Sequence, residues 1–257
     1  MTERTMEWLL AVTLFLFLAF LVYEDVLDVG SLKAPSIRKR LCDYSVAGSV
    51  FEDIPSALAR GVRLLEVHVY ADEQDKPVVA KKPLNDGYDY AEDNVSFEQV
   101  CIMIANDAFP SQDPFILSIV PHTDKSVVLN RIAEHLSTTV HRHLITNKDV
   151  QTAPLDNLAN ALVIVSGGNI SGTALEPLVN LNWNESGMRR LSYQQALHPR
   201  DPYELVGYNR DNITLVSPDA ELKTINANPD EPKAFGCQWN LFDKSGRGFV
   251  EKSAELR

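Results

Sequence analysis

The chain has 257 residues, 45% of them hydrophobic and 23% charged, and its 35 acidic against 24 basic side chains give a formal charge of −11 at pH 7. This is the composition of a globular domain with its own core. It excludes a disordered or collagen-like chain and argues against nucleic acid, and against anionic lipid found by long-range attraction, as partners. Three cysteines, a low and odd number, do not suggest a disulfide framework and fit a reducing compartment.

Residues 8–23 are Leu- and Phe-rich and uncharged between Glu7 and Glu24. As a helix they span roughly 24 Å at about 1.5 Å per residue, short of the ~30 Å hydrocarbon core but within reach of a thin bilayer. Trp8 and Tyr23 stand where interfacial aromatics belong. A retained anchor and a cleaved signal peptide compete for this segment. One Arg against two Glu ahead of the run, and no small-x-small site after it, favour the anchor. Lys33, Arg38, Lys39 and Arg40 place the globular domain beyond them on the cytosolic side, whereas four sequons beginning at Asn94, Asn169, Asn184 and Asn212 point to a lumen. The expectation is a single-pass membrane protein, its globular domain cytosolic rather than luminal.

Residues 51–59 have helical apolar spacing, and Gly61 ends that helix. The strand over residues 60–70 alternates, with Leu64, Glu66 and His68 on one face. Two titratable groups two residues apart near a strand's C-terminal end are placed to share a metal or a substrate. Next in the chain come a strand at Lys76-Pro77-Val78-Val79, another over 113–120, a helix over 124–140 and a strand over 161–165. Lys81 and Lys82 are either solvated or touch lipid phosphates. His141 and His143 read as a solvated face, and Cys237 as a small buried core residue. Glu66, His68 and His122 would make a new site, for zinc among other metals, only if the fold brings them together.

The order helix, Gly-x-Arg-x-x-Glu strand and Pro-Val-Val strand resembles the X half of eukaryotic phosphoinositide-specific phospholipase C. Tyr208-Asn209-Arg210, Ser217-Pro218, Asn228-Pro229, Gly236-Cys237-Gln238 and the segment from Gly248 resemble its Y half in order and spacing. The resemblance implies an α/β fold, a (β/α)8 TIM-like barrel. The compressed stretch from Gln238 to Gly248 leaves room for incompleteness at the last strand. The implied organisation is an anchor over 1–30 containing one transmembrane helix, an X-like half over 31–150, a junction over 151–187 and a Y-like half over 188–257.

The family's chemistry uses two histidines as base and acid around a calcium ion held by an Asn, a Glu-x-Asp pair and a further Glu. Here Tyr44-Ser45-Val46-Ala47-Gly48-Ser49 offers no His or Asn, His68 stands in place of the Asp, Ala80-Lys81-Lys82 carries no second His, and Val120-Pro121-His122 carries no Glu. Of the metal ligands only Glu66 survives. The substrate-binding Arg is replaced by Leu215, leaving Lys81, Lys82, Arg190 and Ser192 as candidates to meet a phosphate. The expectation is a membrane-anchored pseudoenzyme that binds a phosphoinositide headgroup or a protein partner, with no cofactor. The alternative is an active phosphoric diester hydrolase acting on phosphatidylinositol lipids, with calcium as cofactor or with Glu66, His68 and His122 in a rewired site.

Overall fold

A computed structural model describes residues 39–50, 53–80, 94–219, 228–243 and 248–253. The apolar run over residues 8–23 and the pair Lys81 and Lys82 lie outside these residues. Among the described residues no helix is long and apolar enough to cross a membrane.

The chain forms β1 (Tyr44–Val50), α1 (Ile54–Ala59), β2 (Leu64–Ala71), β3 (Pro77–Val79), β4 (Val95–Ser96), α2 (Phe97–Asp107), β5 (Phe115–Pro121) and α3 (Ser126–Thr139). It continues through β6 (Leu162–Ser166), β7 (Leu181–Asn182), β8 (Met188–Ser192), α4 (Tyr193–Leu197), α5 (Pro202–Tyr208), β9 (Ile213–Ser217), α6 (Asp230–Lys233), β10 (Trp239–Asn240) and β11 (Phe249–Glu251). The ladder runs β7-β6-β5-β2-β1-β10-β9-β8, with every neighbouring pair parallel. This is an α/β barrel of the TIM type. β3 and β4 extend β2 antiparallel, and β11 pairs antiparallel with the start of β1.

The barrel does have an open seam, but not at the strand expected. β10 is short, yet it pairs with β1 on one side and β9 on the other. Among the described residues no ladder joins β7 to β8, the two ends of the order. Residues 183–187 return the chain from the end of β7 to the start of β8, too few to carry the helix that normally covers a parallel crossover. A cavity of about 860 Å³, lined in part by Gln151, Asn182, Asn184, Ser186 and Asn212, runs beside this seam.

Parallel strands buried on both faces read as continuous apolar runs, and Leu162–Ser166 does so up to its last residue, whereas Leu64–Ala71 is interrupted by Glu66 and His68. One face fills the barrel with Val46, Leu64, Ile116, Val163, Leu215 and Trp239. The other packs Leu65, Val67, Leu117 and Ile119 against Phe97, Val100, Ile104, Leu129 and Ile132 of α2 and α3. Local chemistry sets the ends. Asp53 caps α1 by accepting from the Ser56 N–H, and Gly61, at φ +82°, makes the turn into β2. Ser96 caps α2, whose buried Phe97, Val100, Cys101 and Ile104 have helical spacing. The buried Arg63 donates from Nη1 to the Ala108 carbonyl at the end of that helix. Cys42, Cys101 and Cys237 are free and buried, as a core reading of Cys237 requires.

Candidate functional site

Substrates meet barrels at the C-terminal ends of the strands. There β2 and β5 run in register with Glu66 opposite Ser118 and His68 opposite Val120. The alternation that buries Leu64 inside the barrel also turns Glu66 and His68 inward, higher up. Arg190 reaches Glu66 from β8, donating from Nη2 to Oε1 at 2.8 Å and from Nε to Oε2 at 3.3 Å. Ser118 Oγ donates to Oε2 at 3.0 Å, and His68 Nε2 lies 3.3 Å from Oε1. The Glu66 side chain has no exposed surface, while that of Arg190 keeps 26% of its own.

His122 joins from the end of β5. Its backbone N–H bonds to the Val69 carbonyl, and its Nε2 lies 2.8 Å from His68 Nδ1. Its ring is stacked on Tyr70 at 4.4 Å and on His68 at 5.0 Å. The candidates Glu66, His68 and His122 therefore do converge, although nothing in the sequence placed His122 beside His68. They form a chain rather than a chelate, because Glu66 and His122 engage different nitrogens of His68.

Burial pushes the Glu66 carboxyl upward, but the His68 bond and the charge and bonds of Arg190 outweigh it and hold it below its usual range. For His122 the covering rings, then His68 and Arg190, push the imidazole down to about 4 despite its exposed edge, so it is neutral at pH 7. Burial raises the Tyr70 hydroxyl.

Calcium takes six to eight oxygens. The cluster around Arg190 offers one carboxylate, that of Glu66, whose two oxygens are engaged by Arg190, Ser118 and His68, and no group of three His, Cys, Asp or Glu among the described residues could hold a metal. These residues do not fit calcium. The guanidinium supplies the positive charge next to Glu66.

The remaining candidates scatter. Ser192 caps α4, accepting from the Gln195 N–H. Leu215 is a buried filler of the barrel. His143 is not simply solvated: it stacks on Phe109 at 3.7 Å and bonds the Asn160 carbonyl. Trp183 was not singled out by the sequence. Its ring lies 5.7 Å from the Arg190 guanidinium and packs on Gly167, where a Cβ would stand 1.9 Å from the indole nitrogen. Gly167→Ala is expected to displace the indole, cost about 1–3 kcal/mol in thermal unfolding and shift the tryptophan emission. Unchanged emission and stability would show that the indole is not held this way.

The family described as phosphatidylinositol-specific phospholipase C, X domain, matches residues 36–165. No curated protein matches the chain. Among solved structures, S. officinalis PLC21 is 16% identical with a TM-score of 0.69, over 87% of this chain and 38% of its own. L. pealei PLC21 is 17% identical with a TM-score of 0.70, over 86% of this chain and 38% of its own. This chain thus spans well under half the length of those proteins. A calcium-dependent phosphoinositol-specific phospholipase C from a Gram-negative Pseudomonas is 11% identical with a TM-score of 0.55, over 85% and 97% of the two chains. At these identities the structural likenesses show a shared fold.

Proposed function

Because this chain belongs to the phosphatidylinositol-specific phospholipase C X-domain family, we propose that it is a member that binds the headgroup of a membrane lipid without hydrolysing it. Residues 8–23 hold the barrel at the bilayer. The observation that carries this reading is the closure of Glu66: its two oxygens are taken by Arg190, Ser118 and His68. The surviving ligand position therefore has nothing left for a metal. The two imidazoles are bonded to each other on one wall, so they do not flank a phosphodiester as base and acid. Loss of one such group costs about 10²–10⁴ in rate, and loss of the metal removes charge stabilisation as well.

One observation favours a second reading, a metal-free phosphodiesterase. His122 is neutral at pH 7 and linked through His68 to a carboxylate, the arrangement of a positioned base. The test is release of water-soluble inositol phosphate from phosphatidylinositol vesicles by the full chain, with calcium, with zinc and with EDTA. No release above the vesicle blank is expected. Release that survives EDTA and is lost in both Glu66→Ala and His122→Ala would replace the first reading with the second. Release that requires a metal would overturn both.

A further inference from the structure

We infer that the barrel carries N-linked oligosaccharides on Asn169 and Asn184, beside the open seam, and that it therefore faces the lumen of a secretory compartment. Each opens a sequon, Asn169-Ile170-Ser171 and Asn184-Glu185-Ser186. The first lies in the loop that leaves β6, the second on the 183–187 return from β7 to β8. Gly168, Ile170, Ser171, Asn184 and Ser186 line the same cavity of about 860 Å³, so the fold gathers both acceptors where the crossover helix is missing. In both sequons the Asn and the Ser are exposed. The Asn169 carboxamide makes no hydrogen bond among the described residues. Asn184 Nδ2 reaches the Gly168 carbonyl at 3.5 Å, a contact that one remaining hydrogen can keep. A bulky, hydrated substituent is accommodated on such exposed backbone without loss of packing.

The other two sequons differ. Asn212 is half-buried and donates from Nδ2 to the Tyr208 carbonyl at 3.1 Å, and Thr214 is fully buried, its hydroxyl donated to Asn209 Oδ1 at 2.6 Å. An oligosaccharide there would intrude on a packed network, so Asn212 is left unmodified. Asn94 is exposed ahead of β4 and does not line the seam cavity, so it reports the compartment without bearing on the seam. Two features that suggested the cytosol lose force in the fold. Lys39 pairs with Glu251, and Arg40 pairs with Asp43 at 3.2 Å and with Asp211 at 2.6 Å, which gives these two cations a structural use apart from topology. All three cysteines are fully buried, and burial pushes the thiols up to about 11 for Cys42 and about 12 for Cys101 and Cys237. No thiolate is offered to an oxidant, so the free cysteines are compatible with an oxidising lumen.

The modification joins Nδ2 to the anomeric carbon of an oligosaccharide carried on a polyprenyl diphosphate. The nitrogen–carbon bond forms as the bond from that carbon to the diphosphate oxygen breaks; the polyprenyl diphosphate leaves, and Nδ2 gives up one of its two protons. To test this, the full chain is translated with endoplasmic-reticulum microsomes and compared on a denaturing gel before and after peptide N-glycosidase. Three added mobility steps are expected, all removed by the glycosidase. Asn94→Gln, Asn169→Gln and Asn184→Gln should each take away one step, and Asn212→Gln none. A chain that stays outside the membranes, or that migrates unchanged after the glycosidase, overturns the proposal. Steps that persist in full in the double variant Asn169→Gln with Asn184→Gln keep the lumen but overturn the seam sites, and loss of one step there overturns whichever site is silent. None of these outcomes depends on lipid binding, so the reading of Glu66 stands or falls by its own test.

Discussion

Arg190→Leu is expected to destabilise the barrel by about 3–5 kcal/mol at pH 7, the cost of leaving a buried carboxylate without its counter-charge. Glu66 has no exposed side-chain surface, and among the described residues Arg190 is the only full positive charge that touches it. The effect should reverse the sign of one pH dependence. In the parent the Glu66 carboxyl is held below its ordinary value of 4.5, although burial alone pushes it up, because His68 and Arg190 outweigh that burial. Its stabilising contribution is therefore present above the unfolded value and lost as pH falls through the lower folded one. Without Arg190 burial dominates and the folded value rises above the unfolded one. Stability is then present below the unfolded value and lost as pH climbs through the raised value. Urea unfolding at pH 4 and pH 7 reads this directly, since the gap between parent and variant should widen towards pH 7. An equal gap at both would show that charge is not the cause. Replacing both partners, as in Glu66→Leu with Arg190→Leu, should recover most of the loss, since apolar substitutes for a buried pair are often near neutral.

The same residues show how far the sequence could be read. Glu66 and His68 were legible because strand alternation acts over two residues and declares its inward face in the pattern of Leu64, Glu66 and His68. Gly61 was legible because a helix-to-strand turn at positive φ selects glycine. The Arg190–Glu66 pair was not, since it joins side chains 124 positions apart and depends on the register of β2 through the whole ladder to β8. His122 meets His68 for a similar reason, the parallel pairing that sets Val69 against Pro121. α2 carried a signal that went unread: Ser96 as cap, then Phe97, Val100, Cys101 and Ile104 at helical spacing. β7 had little to offer, because two residues cannot display a period. The expected opening at the last strand was displaced to β7 and β8, because the short β10 still finds two partners while the 183–187 return leaves none between the seam strands.

The motif Gly236-Cys237-Gln238 was legible for a structural reason, and it leads to the second large effect. Gln238 has no exposed surface. The two hydrogens of its Nε2 go to the carbonyls of Asn209 and Asn212 at 2.8 and 2.7 Å, with the Cys42 carbonyl sharing one of them at 3.3 Å, and its Oε1 accepts from the Thr214 N–H at 2.9 Å. One amide thus ties the entry to β1, the turn after α5 and the start of β9. Gln238→Leu fills similar volume but strands the Cys42 and Asn212 carbonyls and the Thr214 N–H inside the protein, while the Asn209 carbonyl keeps its bond from the Lys252 ammonium. At about 1–3 kcal/mol for each group left without a partner, and with some relaxation, the loss should be on the order of 4 kcal/mol and independent of pH. Gln238→Glu keeps the shape and the acceptor for Thr214 but turns a carboxylate towards three carbonyl oxygens. Burial and those oxygens favour its protonated form, against the single Lys252 ammonium that meets the same Asn209 carbonyl, so its folded value is expected above the unfolded one, and stability is lost as pH rises through it. Thermal melts should therefore place the two variants close together near pH 4 and leave Gln238→Glu well below Gln238→Leu at pH 7. If Gln238→Glu instead matched the parent at pH 7, the three carbonyls would have to be satisfied by something other than this side chain, and the amide would not be the tie that holds the closing strands to β1.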